Sequence, residues 1–337
     1  MPLSVAISIP IGAWSPYLLA SLNSIAAQQT EHVYVAILNA SNDERVLNDI
    51  KSSGIKVDYQ RDGLDDGQAA AIAEGWLKTE SDLVTWLNAD DLLISGAIEA
   101  IVSQFENEKT IDVFYGNSTF SVDDVIIGLH PEVAPVSDLL KRSNIISQPS
   151  CFVKRSLVDK IGGIDSSLIY TMDWDLWVRL FNYGARFGYS DDIYSHVTLA
   201  QTTKTASLGR TRLRECAAIL NRSQSKFKTV IGLFAIIRQN LKSYGRKAEP
   251  YFLSFNASKA KEIPFVNFHS SQKSTLVFNC DASMKDRLLE VVPQGEFVYD
   301  QDRLFIKFNK PIASGKSVFV NFKKRPNAQE IISAYWE

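Results

Sequence analysis

At 337 residues, 45% hydrophobic and 22% charged, with net charge −2 and a pI near 6.1, the chain has the make-up of a globular protein longer than one ordinary domain. That balance excludes a disordered or fibrous chain and carries no global signal for nucleic acid. Three cysteines, Cys151, Cys216 and Cys280, are too few and too widely spaced for a disulfide framework or a thiolate zinc site.

The opening Met1-Pro2-Leu3-Ser4-Val5-Ala6-Ile7 has no basic leader and its apolar run stops at Pro10, too short for a signal peptide or a spanning helix, which predicts a cytoplasmic chain. Strand and helix patterns then alternate. Apolar runs at 5–9, 32–38, 56–60 and 83–87 read as strands, and amphipathic stretches at 16–28, 44–52 and 68–78 read as helices. The alternation predicts an α/β fold, a Rossmann-like and largely parallel sheet with helices on both faces. Ligands of such sheets bind beyond the carboxyl ends of the strands, where the polar loops after Ile9, Leu38, Gln60 and Leu87 all fall.

Further along, the pattern predicts a hairpin over 115–128, helices at 156–161 and 174–183, and a helical stretch over 211–243. Residues 201–250 hold eleven Lys or Arg against only Glu215 and Glu249. This basic helical stretch reads either as a solvated face or as a helix lying on an anionic membrane surface, over 210–247; it has no motif for nucleic acid. Beyond Pro250 the texture changes to short β-prone runs separated by turn residues. The expected organisation is a catalytic domain at 1–205, a basic helical linker at 206–249 and a small all-β domain of unassigned role at 250–337.

Asn88-Ala89-Asp90-Asp91 sets two adjacent carboxylates after an apolar strand, the chemistry of a divalent cation bridging a diphosphate; a helix cap explains the pair equally well. Asp65-Asp66-Gly67-Gln68 precedes an Ala-rich helix and reads as a turn and cap when taken singly. Asp173 and Asp175 stand in the first turn of a helix, where the helix dipole favours carboxylates in any protein, among aromatics that suit a sugar wall.

Taken in order, these segments resemble glycosyltransferase family 2, the inverting transferases of the GT-A fold. The resemblance also draws on Ile7-Ser8-Ile9-Pro10, Ser21-Leu22-Asn23-Ser24-Ile25, Thr85-Trp86-Leu87-Asn88-Ala89-Asp90-Asp91 (the WLN.DD branch), Gln148-Pro149-Ser150-Cys151-Phe152, Gly162-Gly163-Ile164-Asp165 and Met172-Asp173-Trp174-Asp175-Leu176-Trp177. It implies Asp173 as the catalytic base, with Asp90 and His196 holding Mn²⁺ or Mg²⁺. Pro10, Asn39, Asp65, Gln68, Asn88 and Lys204 would contact the nucleotide-diphosphate donor, with Trp174, Asp175 and Trp177 at the acceptor or sugar pocket. The donor implied is a UDP-sugar ahead of a GDP- or dTDP-sugar. The acceptor implied is a glycan or lipid-linked glycan of surface polysaccharide biosynthesis, reached by a cytoplasmic enzyme peripheral to the membrane. Two positions depart from the family pattern: Asn39 and Asn88 stand where it holds aspartates. The alternatives are a retaining GT-A transferase and a catalytically degenerate sugar-binding protein. A nucleotidyltransferase or dehydrogenase is disfavoured because no Gly-rich phosphate loop follows the first strand.

Overall fold

Val5-Ala6-Ile7-Ser8-Ile9-Pro10-Ile11 is apolar at nearly every position, a pattern that is stable as a strand covered on both faces. In the computed structural model, which describes residues 2–122, 124–130, 133–199, 210–223, 232–233, 262–280, 288–300, 303–322 and 331–337, this run is β1 (Val5–Ile11), buried throughout. Helix α1 (Leu18–Ala26) turns Leu18, Leu22 and Ile25 into the core, and the chain returns as β2 (Val33–Asn39), parallel to β1. Asp43 caps α2 (Glu44–Ser53) by accepting from the Arg45 N–H at 2.9 Å. Next come β3 (Tyr59–Asp62), α3 (Gln68–Lys78) and β4 (Leu83–Trp86), which complete the parallel order β3-β2-β1-β4. Helix α3 lies hard against β1 at Gly75, where a Cβ would stand 2.2 Å from the Ser8 hydroxyl, so only glycine permits that approach.

The middle of the chain is less regular. Short β5 (Leu92–Leu93) and helix α4 (Ala97–Asn107) lead into the hairpin of β6 (Val113–Val122) and β7 (Val125–Leu129). Strand β8 (Cys151–Lys154) fits antiparallel between β4 and β6, and is followed by α5 (Arg155–Lys160) and α6 (Met172–Tyr183). The long β9 (Phe187–Leu199) runs parallel to β6 and pairs with β5, setting His196 opposite Leu92. The sheet is therefore mixed: the parallel order expected holds for β3-β2-β1-β4, whereas β7 and β8 run antiparallel to their neighbours. Helix α7 (Arg210–Ser223) buries Cys216, Ile219 and Leu220 in the same apolar cluster as Trp174 and Trp177 of α6. Most of the basic stretch beyond it lies outside the described residues, and no described helix is long and apolar enough to cross a membrane.

The C-terminal part is all β: β10 (Glu262–Val266), β11 (Lys273–Cys280), β12 (Leu288–Val292), β13 (Gly295–Asp300), β14 (Arg303–Ile312), β15 (Ser317–Phe322) and β16 (Ile331–Trp336). Its strands form two sheets. The larger joins the rest of the molecule through β16, which pairs antiparallel with β7 at Ala334↔Ile126 and Tyr335↔Val125, so one 13-stranded sheet runs from β13 to β3. The smaller has the order β10-β15-β12. Reciprocal bonds between Ser95 and Ser317, 3.1 and 3.2 Å, tie this part to the segment after β5, and Gly315 rests on the backbone of α1.

Candidate active site

Four parallel strands end on one edge, and their trailing loops carry most of the expected donor residues. Register places Pro10 opposite Leu38, Ile11 opposite Asn39, and Asn39 opposite Asp62, so the ends of β1, β2 and β3 are aligned across the sheet. Asn39 is 4% exposed, and both ends of its amide are hydrogen-bonded. It donates to Asp62 Oδ1 at 2.8 Å and accepts from the Ser41 N–H and hydroxyl at 3.1 and 2.6 Å. A carboxylate is thus present at this edge after all, on Asp62, which the sequence reading passed over because it ended the third strand at residue 60. Asp65 accepts from the Gly67 N–H at 2.9 Å and pairs with Arg61 at 3.1 Å, while Arg61 also holds Glu74 at 2.9 Å.

The loop after β4 is fastened by a chain of amides. Gln68 at the start of α3 donates to Asn88 Oδ1 at 2.8 Å, and Asn88 Nδ2 donates to Asp91 Oδ2 at 2.9 Å. Asn88, one of the two departures from the family pattern, is what allows this relay, since a carboxylate there has no proton to give Asp91. Asp91 is 4% exposed, and burial, reinforced by the neighbouring Asp90, pushes its carboxyl well above the usual range; the Asn88 amide and the Thr198 backbone N–H pull the other way. Asp90 is half-buried, and burial raises it as well.

Asp173 lies in the first turn of α6, its carboxyl raised by burial and held down by the N–H groups of Trp174 and of its own backbone, by Asn144 and by Arg212. Asn144 donates to Asp173 Oδ2 at 2.7 Å, a partner that no local sequence pattern announces. Trp177, four residues on and hence on the same helix face, stacks on Trp86 at the end of β4 with ring centroids 5.8 Å apart and planes 18° apart. That stack ties the helix carrying Asp173 to the strand that leads into Asn88, Asp90 and Asp91.

Several expected roles do not match the geometry. Trp177 is fully buried, Trp174 is 5% exposed with its Nε1 donating to the Leu140 carbonyl at 2.6 Å, and Asp175 is 2% exposed between Arg179 and Arg222 at 2.6 and 2.5 Å. These three side chains build the core beneath the site and are not a wall for sugar. His196 is fully buried, with Nδ1 bonded to the Thr119 hydroxyl at 2.9 Å and Nε2 to the Ser121 hydroxyl at 3.0 Å, and its ring stacks on Phe268. Burial lowers it to about 3, and with both nitrogens occupied it has none for a metal. Lys204 lies outside the described residues. Among the described residues, no group of three or more His, Cys, Asp or Glu is placed to hold a metal by itself.

Comparison with known proteins agrees with this architecture. The profile of Glycosyl transferase family 2 matches residues 8–162. Uncharacterized glycosyltransferases of Rickettsia typhi and Rickettsia prowazekii are each 25% identical over 224 residues, 60% of this chain. The match spans 66%, just under two thirds, of the length of those relatives. Among solved structures, S. aureus TarS 1–349 in complex with UDP-GlcNAc superposes with a TM-score of 0.51 at 16% identity, over 73% of this chain and 74% of that one. The longer S. aureus TarS structure superposes at 0.50 with 13% identity, over 99% of this chain and 85% of that one. Residues 8–162 therefore carry the sequence pattern of Glycosyl transferase family 2, within a chain that has the GT-A fold.

Proposed function

We propose that this chain is an inverting glycosyltransferase that moves a sugar from a nucleotide-diphosphate donor to a hydroxyl of a glycan or lipid-linked glycan. The observation that carries the reading is the stack of Trp177 on Trp86, which couples the helix bearing Asp173 to the loop bearing Asn88, Asp90 and Asp91. Asn39, Asp62, Asp65 and Pro10, at the ends of the neighbouring strands, form the edge against which base and ribose would lie. A UDP-sugar is the favoured donor, in keeping with the UDP-GlcNAc complex of TarS, and GDP- and dTDP-sugars are the other candidates.

In this reading Asp173 is the general base. Its carboxyl is raised above the ordinary aspartate range because it is buried, while four groups stabilise the charged form, which makes it a stronger base than an exposed aspartate. As the acceptor oxygen attacks the anomeric carbon, its proton passes to Asp173 and the nucleoside diphosphate departs from the opposite face, inverting the configuration.

The carboxylates after β4 fit a divalent cation of the Mn²⁺ or Mg²⁺ type. Hard cations of this kind take one or two protein carboxylates and complete their shell with substrate phosphates and water, which suits a site without a full protein cage. Asp90 would hold it, with Asp91 behind, and the cation would neutralise charge on the departing diphosphate. Residues 1–205 form the proposed catalytic domain, with α7 closing its core.

A donor panel tests the reading. Thermal shift and turnover are measured with UDP-, GDP- and dTDP-sugars, with and without Mn²⁺, on the wild type and on Asp90→Asn. One sugar nucleotide is expected to raise the melting temperature by mass action and to be turned over with metal stimulation that Asp90→Asn removes. Absence of binding and turnover with every donor would discard the enzyme reading in favour of a degenerate sugar-binding protein.

A further inference from the structure

Helix α6 has no side-chain cap of its own: its N-cap position, Thr171, makes no capping hydrogen bond to the first turn. The chain entering the helix is instead held from elsewhere. Glu215, 7% exposed on α7, accepts from the backbone N–H of Ile169 at 2.9 Å, of Tyr170 at 2.9 Å and of Thr171 at 3.0 Å, and from the Thr171 hydroxyl at 3.1 Å. Three consecutive backbone donors converging on one carboxylate fix the path of the chain immediately before Asp173. About two helical turns further along α7, Arg222 reaches Asp175 at 2.5 Å, so α7 grips α6 on both sides of the candidate base. Cys216, Ile219 and Leu220, buried between these two contacts, hold α7 in the core and leave Glu215 little room to move.

We infer that Glu215, which lies beyond the family-matched segment, is the positioning residue for Asp173: its carboxylate pins residues 169–171 and thereby sets where the base is presented. The inference rests on the reading of Asp173 as the base. Bonds from backbone N–H groups in the first turn of α6 and from Asn144 favour the charged form of Asp173, and those bonds require that the turn be held still. Glu215→Gln keeps the shape but replaces one acceptor oxygen with an NH₂ group facing backbone donors, so the three N–H bonds cannot all survive. The freed segment frays, the bonds to Asp173 loosen, and its ionised form loses support.

The experiment uses the full chain in three variants: Glu215→Gln, Asp173→Asn, and Ile219→Val as a control that only loosens packing in the same helix. Hydrogen exchange is followed by mass spectrometry, and the pH profile of transfer is followed with the donor that the wild type uses. Glu215→Gln is expected to speed exchange in peptides covering 165–175 at least tenfold while peptides of β1 and β4 stay at wild-type rates. It should also move the acid limb of the pH profile upward, so that transfer falls more at pH 6 than at pH 8. Ile219→Val should lower the melting temperature without moving that limb. Wild-type exchange over 165–175 in Glu215→Gln, with an unmoved limb and an inactive Asp173→Asn, overturns the inference alone. Full transfer by Asp173→Asn overturns the base assignment, and the inference with it.

Discussion

Gly315 offers a direct test of how the C-terminal β region is joined to the catalytic domain. Its φ is +75°, and a Cβ at that position would stand 2.7 Å from the Ala20 carbonyl oxygen, 2.7 Å from the Ser24 nitrogen and 2.8 Å from the Asn23 Cβ. In Gly315→Ala the left-handed backbone costs about 1 kcal/mol. The contact with α1, which is backbone and cannot rotate aside, costs a further 1–3 kcal/mol or so by analogy with overpacked cores. A total of roughly 2–4 kcal/mol at about 2 °C per kcal/mol for a chain of this size predicts a fall of about 4–8 °C in melting temperature. The strain is not confined to the join, because Ser21 on α1 donates to the Asn88 carbonyl at 3.4 Å. Displacement of α1 therefore reaches the loop of Asp90, and affinity for UDP should fall along with stability. Calorimetry and titration with UDP measure both. A Gly315→Ala chain within 1 °C of wild type would refute the docking of this region on α1.

Asn144→Ala removes a hydrogen bond to the charged form of Asp173, so the base should ionise at still higher pH; the acid limb of the transfer profile should shift upward, and a limb that stays or moves down would refute this. Trp177→Ala empties a fully buried position and should cost about 3–5 kcal/mol in urea unfolding, whereas a residue that merely lined an acceptor pocket would raise the acceptor KM and leave stability unchanged. Arg210 and Arg214 are exposed on α7, and if this face docks on anionic lipid, Arg210→Glu with Arg214→Glu should abolish sedimentation with phosphatidylserine vesicles; equal sedimentation of variant and wild type discards the membrane reading.

The first half of the fold was legible because it follows one rule: strands buried on both faces read as unbroken apolar runs, and the helices between them keep a helical period. Thus β1, α1, β2, α2, α3 and β4 lie within a few residues of their expected places. The long β9 was not legible. Its sequence, Phe187-Gly188-Tyr189-Ser190-Asp191-Asp192-Ile193-Tyr194-Ser195-His196-Val197-Thr198-Leu199, mixes polar and apolar residues because hydroxyls in the sheet interior bond to one another, as Ser118 does with Ser150 and Ser195 at 3.1 and 2.6 Å. His196 came in as a ligand only through its place in the family order, and its bonds to the Thr119 and Ser121 hydroxyls across the sheet put it in that interior network instead. The same limit hid Asn144 and Glu215, whose effect on Asp173 depends on contacts across 29 and 44 to 46 residues of chain. Trp174 and Trp177 were misread for the opposite reason, since an aromatic pair beside a carboxylate has the same local pattern whether it faces a sugar or a core.

The central claim is that Asp173 takes the acceptor's proton in a single in-line displacement. The most direct measurement is the anomeric configuration of the transferred sugar, read by NMR on the product of the wild type, together with transfer and UDP binding by Asp173→Asn. The account predicts a product inverted relative to the donor, and a variant that binds UDP as the wild type does but transfers at least 10³-fold more slowly, in the range that loss of a general base commands. A product with retained configuration, or an Asp173→Asn chain that transfers at the wild-type rate, would contradict it.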